Sequence, residues 1–132
     1  MSHTATVQTI YQLFGKGDVP AILELLSDKV NWEHDAMDHG VPWLKPGRGK
    51  LHAHQFFKTV AREFEISRFD VKNPIEIGNQ VIVMIDLQAT IRSTKKPIHD
   101  LEFHIWTFDD QGKVRTFRHV LDTHQHYLAS KR

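Results

Sequence analysis

"LEFHIWTFDDQGKVRTFRHV", residues 101–120, decides how the rest of the chain reads. Two runs rich in β-branched and aromatic residues flank "DDQG", a tight turn, and so pair as a β-hairpin. In the first run Leu101, Phe103 and Ile105 point one way, while Trp106 and Phe108 point the other way together with His104. Side chains alternate along a strand, so this strand is apolar on both faces and must be covered twice. Helices can cover one face; a second copy of the chain, in a homodimer built through the sheet, is the simplest cover for the other. His104 is the odd member. A polar ring between Phe103, Ile105 and Trp106 must find a partner or cost roughly 1–3 kcal/mol. Glu102 shares its face and is one candidate. The ring is either a satisfied core residue or the working group of a pocket.

Upstream of the hairpin, "NQVIVMIDLQATIR" alternates strictly, with Val81, Val83, Ile85, Leu87, Ala89 and Ile91 on one face. "STKKP" turns the chain into the hairpin's first strand, and "FDVKNPIEIG" gives one or two short strands. The first half is helical. Val7, Ile10, Tyr11 and Phe14 recur at helical spacing, and "GKGD" stops that helix. Asp18 is a suitable N-cap for a second helix, whose first turn tolerates Pro20 and whose stripe is Val19, Ile22, Leu23 and Leu26. "KVNWEHD" switches to strand period, placing Trp32 and His34 on one face. "AMDHGVPWLKPGRGK" is a Pro/Gly loop carrying Trp43, a candidate pocket lid. A third helix is expected over roughly residues 50–65, with Ala53, Phe57, Val60, Ala61 and Phe64 at helical spacing. Helices first and a strand meander after predict an α+β domain, with three N-terminal helices packed on one face of an antiparallel sheet.

The 132 residues suit a single domain, residues 1–132. A formal net charge of +1, from 17 basic and 16 acidic side chains, gives no footprint for nucleic acid and no polybasic patch for a membrane. There is no cysteine, which excludes disulfides, thiolate catalysis and cysteine-held metal centres. The N-terminal stretch has no secretory pattern and no segment is apolar over a membrane span, so a cytoplasmic protein is expected. The 10 histidines are scattered rather than clustered as in a tag, so each needs its own account.

In order, the chain carries a helix, "GKGD", a helix, "VNWEH", a Pro/Trp loop, "GRG", a helix containing "FF", and a meander ending "HIWTFDDQGKVRTFRHVLDT". This resembles the SnoaL-like and ketosteroid-isomerase-like families of the nuclear transport factor 2-like superfamily, over nearly the whole chain. The resemblance implies a cone: helices and a strongly curved sheet around an apolar pocket, with dimers formed through the sheet. It also implies site positions. Where ketosteroid isomerases keep a general-base Asp on the strand after the second helix, this chain has His34. Where they keep an oxyanion-stabilising acid, eight residues before the hairpin glycine, it has His104. Phe57 corresponds to a pocket-lining aromatic of the third helix, and Tyr11 falls one residue from the place of the oxyanion-hole tyrosine. The use of two carboxyl groups with displaced pKa values by ketosteroid isomerase is a standard illustration of pKa tuning; here both places hold imidazole, which titrates near neutrality.

These readings give His34 as base, His104 as acid or oxyanion donor, and Asp122 as an orienting carboxylate near the end of "LDT". Each has a plainer account: His34 bonded to Asp35 or backbone, Asp122 capping the strand end. Trp32, Trp43, Trp106, His119 and Tyr11 join Phe57 as expected contacts of a small apolar molecule, though aromatics at regular spacing are first of all core. The pairs "HAH" at 52–54 and "HQH" at 124–126 lack a companion carboxylate at metal-ligand spacing, and no metal or cofactor is expected. The implied activity is a cofactor-free isomerase or cyclase acting next to a carbonyl. A dehydratase of the same fold and a non-catalytic ligand-binding dimer are the alternatives.

Overall fold

A computed structural model describes residues 2–132. Helix α1 (His3–Lys16) starts at Ser2, whose hydroxyl accepts the Ala5 N–H, and ends at Gly17, where φ is 72°. That left-handed turn suits glycine and lets its N–H close on the carbonyls of Leu13 and Phe14. Asp18 caps α2 (Val19–Glu24) by accepting from the Ala21 N–H. This helix is one turn shorter than its apolar stripe suggests, because Leu26 already opens strand β1 (Leu26–Trp32). After a 3-10 turn (Pro42–Leu44) and β2 (Gly47–Arg48) comes α3 (Lys50–Glu63). Strands β3 (Phe64–Val71), β4 (Ile75–Ile77), β5 (Gln80–Ile91), β6 (Pro97–Phe108) and β7 (Val114–Val120) then follow. The chain closes with α4 (Thr123–Ser130).

One sheet runs in the order β2-β1-β7-β6-β5-β3, with β4 beside β5. The meander is antiparallel as its turns require: Gly112, at φ 77°, and the Asp109 carboxylate, which accepts the N–H groups of Gln111 and Lys113, fold the β6–β7 hairpin. The sheet as a whole is mixed, since β1 lies parallel to β7. That pairing corrects the all-antiparallel expectation. It joins elements at opposite ends of the chain, so no local pattern signals it. Register shifts within the β3–β5 and β6–β7 pairings are β-bulges, which bend a sheet.

The strict alternation of β5 and β6 survives folding. Val81 through Ile91 at odd positions and Ile98, Asp100, Glu102, His104 and Trp106 at even ones face the helices. Two packed clusters fill the concave side, one around Val7, Ile22, Trp32, Val83 and Phe117, the other around Val41, Trp43, Phe64, Leu87 and Ile98. Fully burying such a side chain contributes on the order of 1.5–3 kcal/mol. On the convex side Leu101, Phe103 and Val120 are 53%, 37% and 45% exposed.

The C-terminal segment departs most from expectation. "THQHYLAS", to which the sequence pattern assigned no element, is a helix, and it carries His126 into the interior at 1% exposure. Its one-sided burial is short and broken, so the sequence offers almost no helical period there.

Candidate functional site

Between the helices and the concave sheet lies a cavity of about 70 Å³. Rings of Phe14, Phe56, Phe57 and Phe69 wall it on one side, and Trp43, Trp106 and Phe117 on another. Its polar end is built by Tyr11 from α1, Glu102 and His104 from β6, His119 from β7 and His126 from α4. Adjacent strands bring the two central histidines together: His104 pairs in register with His119, and their rings meet edge to face at 4.7 Å.

The hydrogen bonds fix where the protons sit. The Trp106 indole can only donate, and it donates to the Tyr11 hydroxyl at 3.0 Å. The Tyr11 hydroxyl in turn lies 2.7 Å from His104 Nδ1 and is the donor there. His104 then carries its proton on Nε2, which donates to Glu102 Oε1 at 3.1 Å. A neutral ring is also what the surroundings favour. Burial lowers the His104 pKa, and the Glu102 hydrogen bond only partly opposes this. Burial raises the Tyr11 pKa, so the phenol keeps its proton. Burial would raise Glu102 as well, but hydrogen bonds from His104 and His126 overcome it and hold the carboxyl below the usual range.

His126 lies between two carboxylates. Its Nε2 is 2.7 Å from Asp100 Oδ2 and 3.2 Å from Glu102 Oε2. Its Nδ1 accepts the Trp43 indole N–H at 2.9 Å. Burial lowers its pKa, but the two carboxylates more than offset that and pull it up. The Trp43 N–H acts against them, because a proton on Nδ1 and that hydrogen bond exclude each other. The conformation seen is therefore that of the neutral ring.

His119 differs from both. Its Nδ1 is hydrogen bonded to the Glu33 carboxylate, which is 2% exposed. Burial lowers the His119 pKa, yet the charge and hydrogen bond of Glu33 outweigh it and leave the group above its ordinary value. Among the described residues Nε2 of His119 has no hydrogen-bond partner. It is the one ring nitrogen of this three-histidine cluster left free to meet a ligand. Glu33, Asp100 and Glu102 pair with histidines and with no lysine or arginine.

The sequence-derived positions fall into three groups. Tyr11, Trp43, Phe57, His104, Trp106 and His119 all line the cavity. Trp43 is not an exposed lid; it is 2% exposed within its 3-10 turn. Trp32 packs in the core against Phe117, with ring centres 4.3 Å apart, and does not line the cavity. His34 is also outside it. Its side chain is 44% exposed, hydrogen bonded to Asn31 and 3.6 Å from the Asp35 carboxylate. The physical reason is the backbone at Glu33, where φ is 58°. Strand alternation ends at Trp32; the left-handed residue turns Glu33 inward and His34 outward. Asp122 caps α4 by accepting the Gln125 N–H and orients no histidine; Asp100 and Glu102 do that for His126.

Glu33, Asp100 and His126 are the site residues that sequence reasoning missed. Asp100 and Glu102 share parity with His104 on β6, which was a usable signal. Nothing local pointed to Glu33 or His126. Two clusters, Glu102–His104–His119 and Asp100–Glu102–His126, bring one donor atom from each residue within 4.8 Å of the others. Histidine–carboxylate groups of this kind can hold a divalent ion. Here almost every donor atom is already engaged in the hydrogen bonds above.

The family model for the SnoaL-like domain matches residues 7–117, and the chain belongs to that family. Its fold is that of the nuclear transport factor 2-like proteins. An NTF2-like protein of unknown function from Burkholderia pseudomallei superposes with a TM-score of 0.84 at 23% identity, over 100% of both chains. A protein from Mesorhizobium loti described as a candidate SnoaL-like polyketide cyclase gives 0.73 at 19% identity, over 91% of this chain and 99% of that one. A candidate isomerase from Bacillus subtilis gives 0.77 at 16%, over 98% and 95%. At these identities the likeness is one of fold. No curated protein matches the chain in sequence. No helix among the described residues is long and apolar enough to cross a membrane.

Proposed function

We propose that the protein is a cofactor-free acid–base catalyst of the isomerase or cyclase kind, acting beside the carbonyl of a small apolar molecule. The observation that carries this reading is the Glu33–His119 pair: a buried carboxylate on Nδ1 of a cavity-lining histidine whose Nε2 has no hydrogen-bond partner among the described residues. Such a pair fixes the tautomer and raises the basicity of the working nitrogen. His119 takes the base's role that the sequence assigned to His34. Its Nε2 removes a proton from the carbon next to the carbonyl. The Tyr11 hydroxyl, still accepting from Trp106, turns its one proton from His104 Nδ1 to the developing oxyanion when the ligand enters. His104 then acts on the ligand through Tyr11, and Glu102 through His104. The family membership and the described kinds of the fold's relatives agree with this class of reaction.

The test needs no natural substrate. In D2O, α-proton exchange of butanone, a ketone small enough for the cavity, is followed by NMR. The wild type accelerates exchange, His119→Gln abolishes the acceleration, and Tyr11→Phe reduces it about 10²-fold or more. Absence of acceleration, or acceleration that survives His119→Gln, overturns the reading.

The same proposal includes a homodimer through the convex face. Phe103 lies in register with Met84 on one side and Val120 on the other, which makes a continuous apolar stripe across β5, β6 and β7. Phe103→Glu should convert a dimer to a monomer in light scattering; a wild-type monomer at micromolar concentration rejects it.

A further inference from the structure

The inner cavity is small for the role just given to it. At about 70 Å³ it falls well short of the ~300–1,000 Å³ of ordinary small-molecule sites. It has room for a polar head and a few carbons.

A second depression of about 570 Å³ begins where the cavity ends. Tyr11, Phe14, Phe57, Val60, Phe64, Ile66 and Phe69 border both spaces, so the two adjoin across a shared wall. The Phe14 ring stands 6.2 Å from Phe57 and 5.3 Å from Phe69, which places three flat rings at the throat. Outside the throat the groove runs between the end of α1, α3 and β3. Among the described residues Tyr11 is the sole ionisable one on its wall, and the Tyr11 hydroxyl is turned inward to His104. Ile66 and Val71, on its β3 side, are each 37% exposed. Gly15 and Ala61 leave its helical side without bulk: a Cβ built at Gly15 meets nothing within 4 Å.

We infer that this groove is the outer half of the ligand site and takes the uncharged apolar tail of a molecule whose polar head enters the cavity. The inference rests on the reading of the inner site given above, and it narrows the substrate class. A compact polar metabolite would leave the groove empty. A charged tail would lose its water without gaining a partner. A neutral alkyl or aryl tail gains apolar contact along the groove and reaches the cavity by turning the Phe14 ring away from Phe57 and Phe69, with which it is in contact.

The experiment is a chain-length series of straight-chain methyl ketones, from butanone to dodecanone, with binding read from tryptophan fluorescence, since Trp43 and Trp106 line the cavity. Affinity for the wild type should rise ~3- to 4-fold per added methylene once the chain passes the throat. Gly15→Leu fills the groove from a helical position that is open and has ordinary backbone geometry, and Ala61→Leu does so from α3. Both variants should flatten the chain-length dependence while binding butanone as the wild type does. Tyr11→Phe should weaken every member of the series by a similar factor. A wild-type affinity that stops rising at short chains, or an unchanged slope in both leucine variants, overturns the groove. So does a change of oligomeric state in the leucine variants, which would make the groove a contact between copies. If the slope responds to Gly15→Leu while Tyr11→Phe changes nothing, the groove stands and the proposed head-group chemistry falls.

Discussion

His119 and His126 are both buried, both held by carboxylates and both at the polar end of one cavity, yet they are built for different work. His126 has every nitrogen engaged: Asp100 and Glu102 on Nε2, Trp43 on Nδ1. It ties α4, β6 and the 3-10 turn together. His119 has one nitrogen held by Glu33 and the other free. The lesson is that burial and a carboxylate partner do not distinguish a structural histidine from a reactive one. The atom left without a partner does.

The comparison breaks most visibly at His126. Replacing it by Ala leaves Asp100 without its imidazole, removes one of the two histidines on Glu102 and opens a cavity, which together should cost about 3–5 kcal/mol in urea denaturation. His119→Gln keeps an N–H for Glu33 and should cost no more than about 1–2 kcal/mol while removing α-proton exchange. Similar losses of stability in both variants would erase the distinction.

A second test uses pH. The folded pKa of His119 is raised above 6.5. Its contribution to stability is therefore complete below ~6.5 and is lost as pH rises through the raised value. In Glu33→Gln burial loses its main opponent, only the more distant charge of Glu102 still raising the group, and the sign should reverse: the folded pKa drops, and stability is lost as pH falls from ~6.5 toward it. The two proteins should thus respond in opposite directions between neutral and mildly acidic pH, by ~1.4 kcal/mol for each pH unit separating folded and unfolded values. Parallel curves would show that Glu33 does not govern His119.

Trp43 gives a finer measure. Its indole N–H opposes protonation of His126 at Nδ1. Trp43→Phe should raise the His126 pKa by roughly one pH unit, about the value of one hydrogen bond, as read from imidazole NMR shifts. A fall, or no change, would mean the bond does not hold the ring neutral. The smallest effect belongs to His34. Its exposed ring makes His34→Gln expected to alter stability by less than about 0.5 kcal/mol and to leave exchange intact. A large loss of exchange would restore His34 as the base.

Much of the fold was legible in the chain. The period-2 runs at 81–91 and 101–108 named the buried face of β5 and β6 residue by residue, and "GKGD" marked the break between α1 and α2. The inward direction of His104 followed from the same parity. The inward direction of Glu33 did not, because one left-handed residue cancels the alternation on which the reading of His34 depended. α4 was missed for a related reason: its burial is dictated by what it covers, and "THQHYLAS" has too weak a helical period to announce it.

By itself, then, the sequence determined the order of elements, the apolar faces of the long strands and the presence of an imidazole at His104, because each of these is set by local geometry and periodic side-chain direction. Tertiary structure decided the partners. Parallel pairing of β1 with β7 brings Glu33 to His119, and α4 folds His126 back onto Asp100 and Glu102 across more than twenty residues of chain. Which nitrogen stays free is a property of those contacts. No local pattern encodes it, because it depends on groups that meet only when the sheet closes around them.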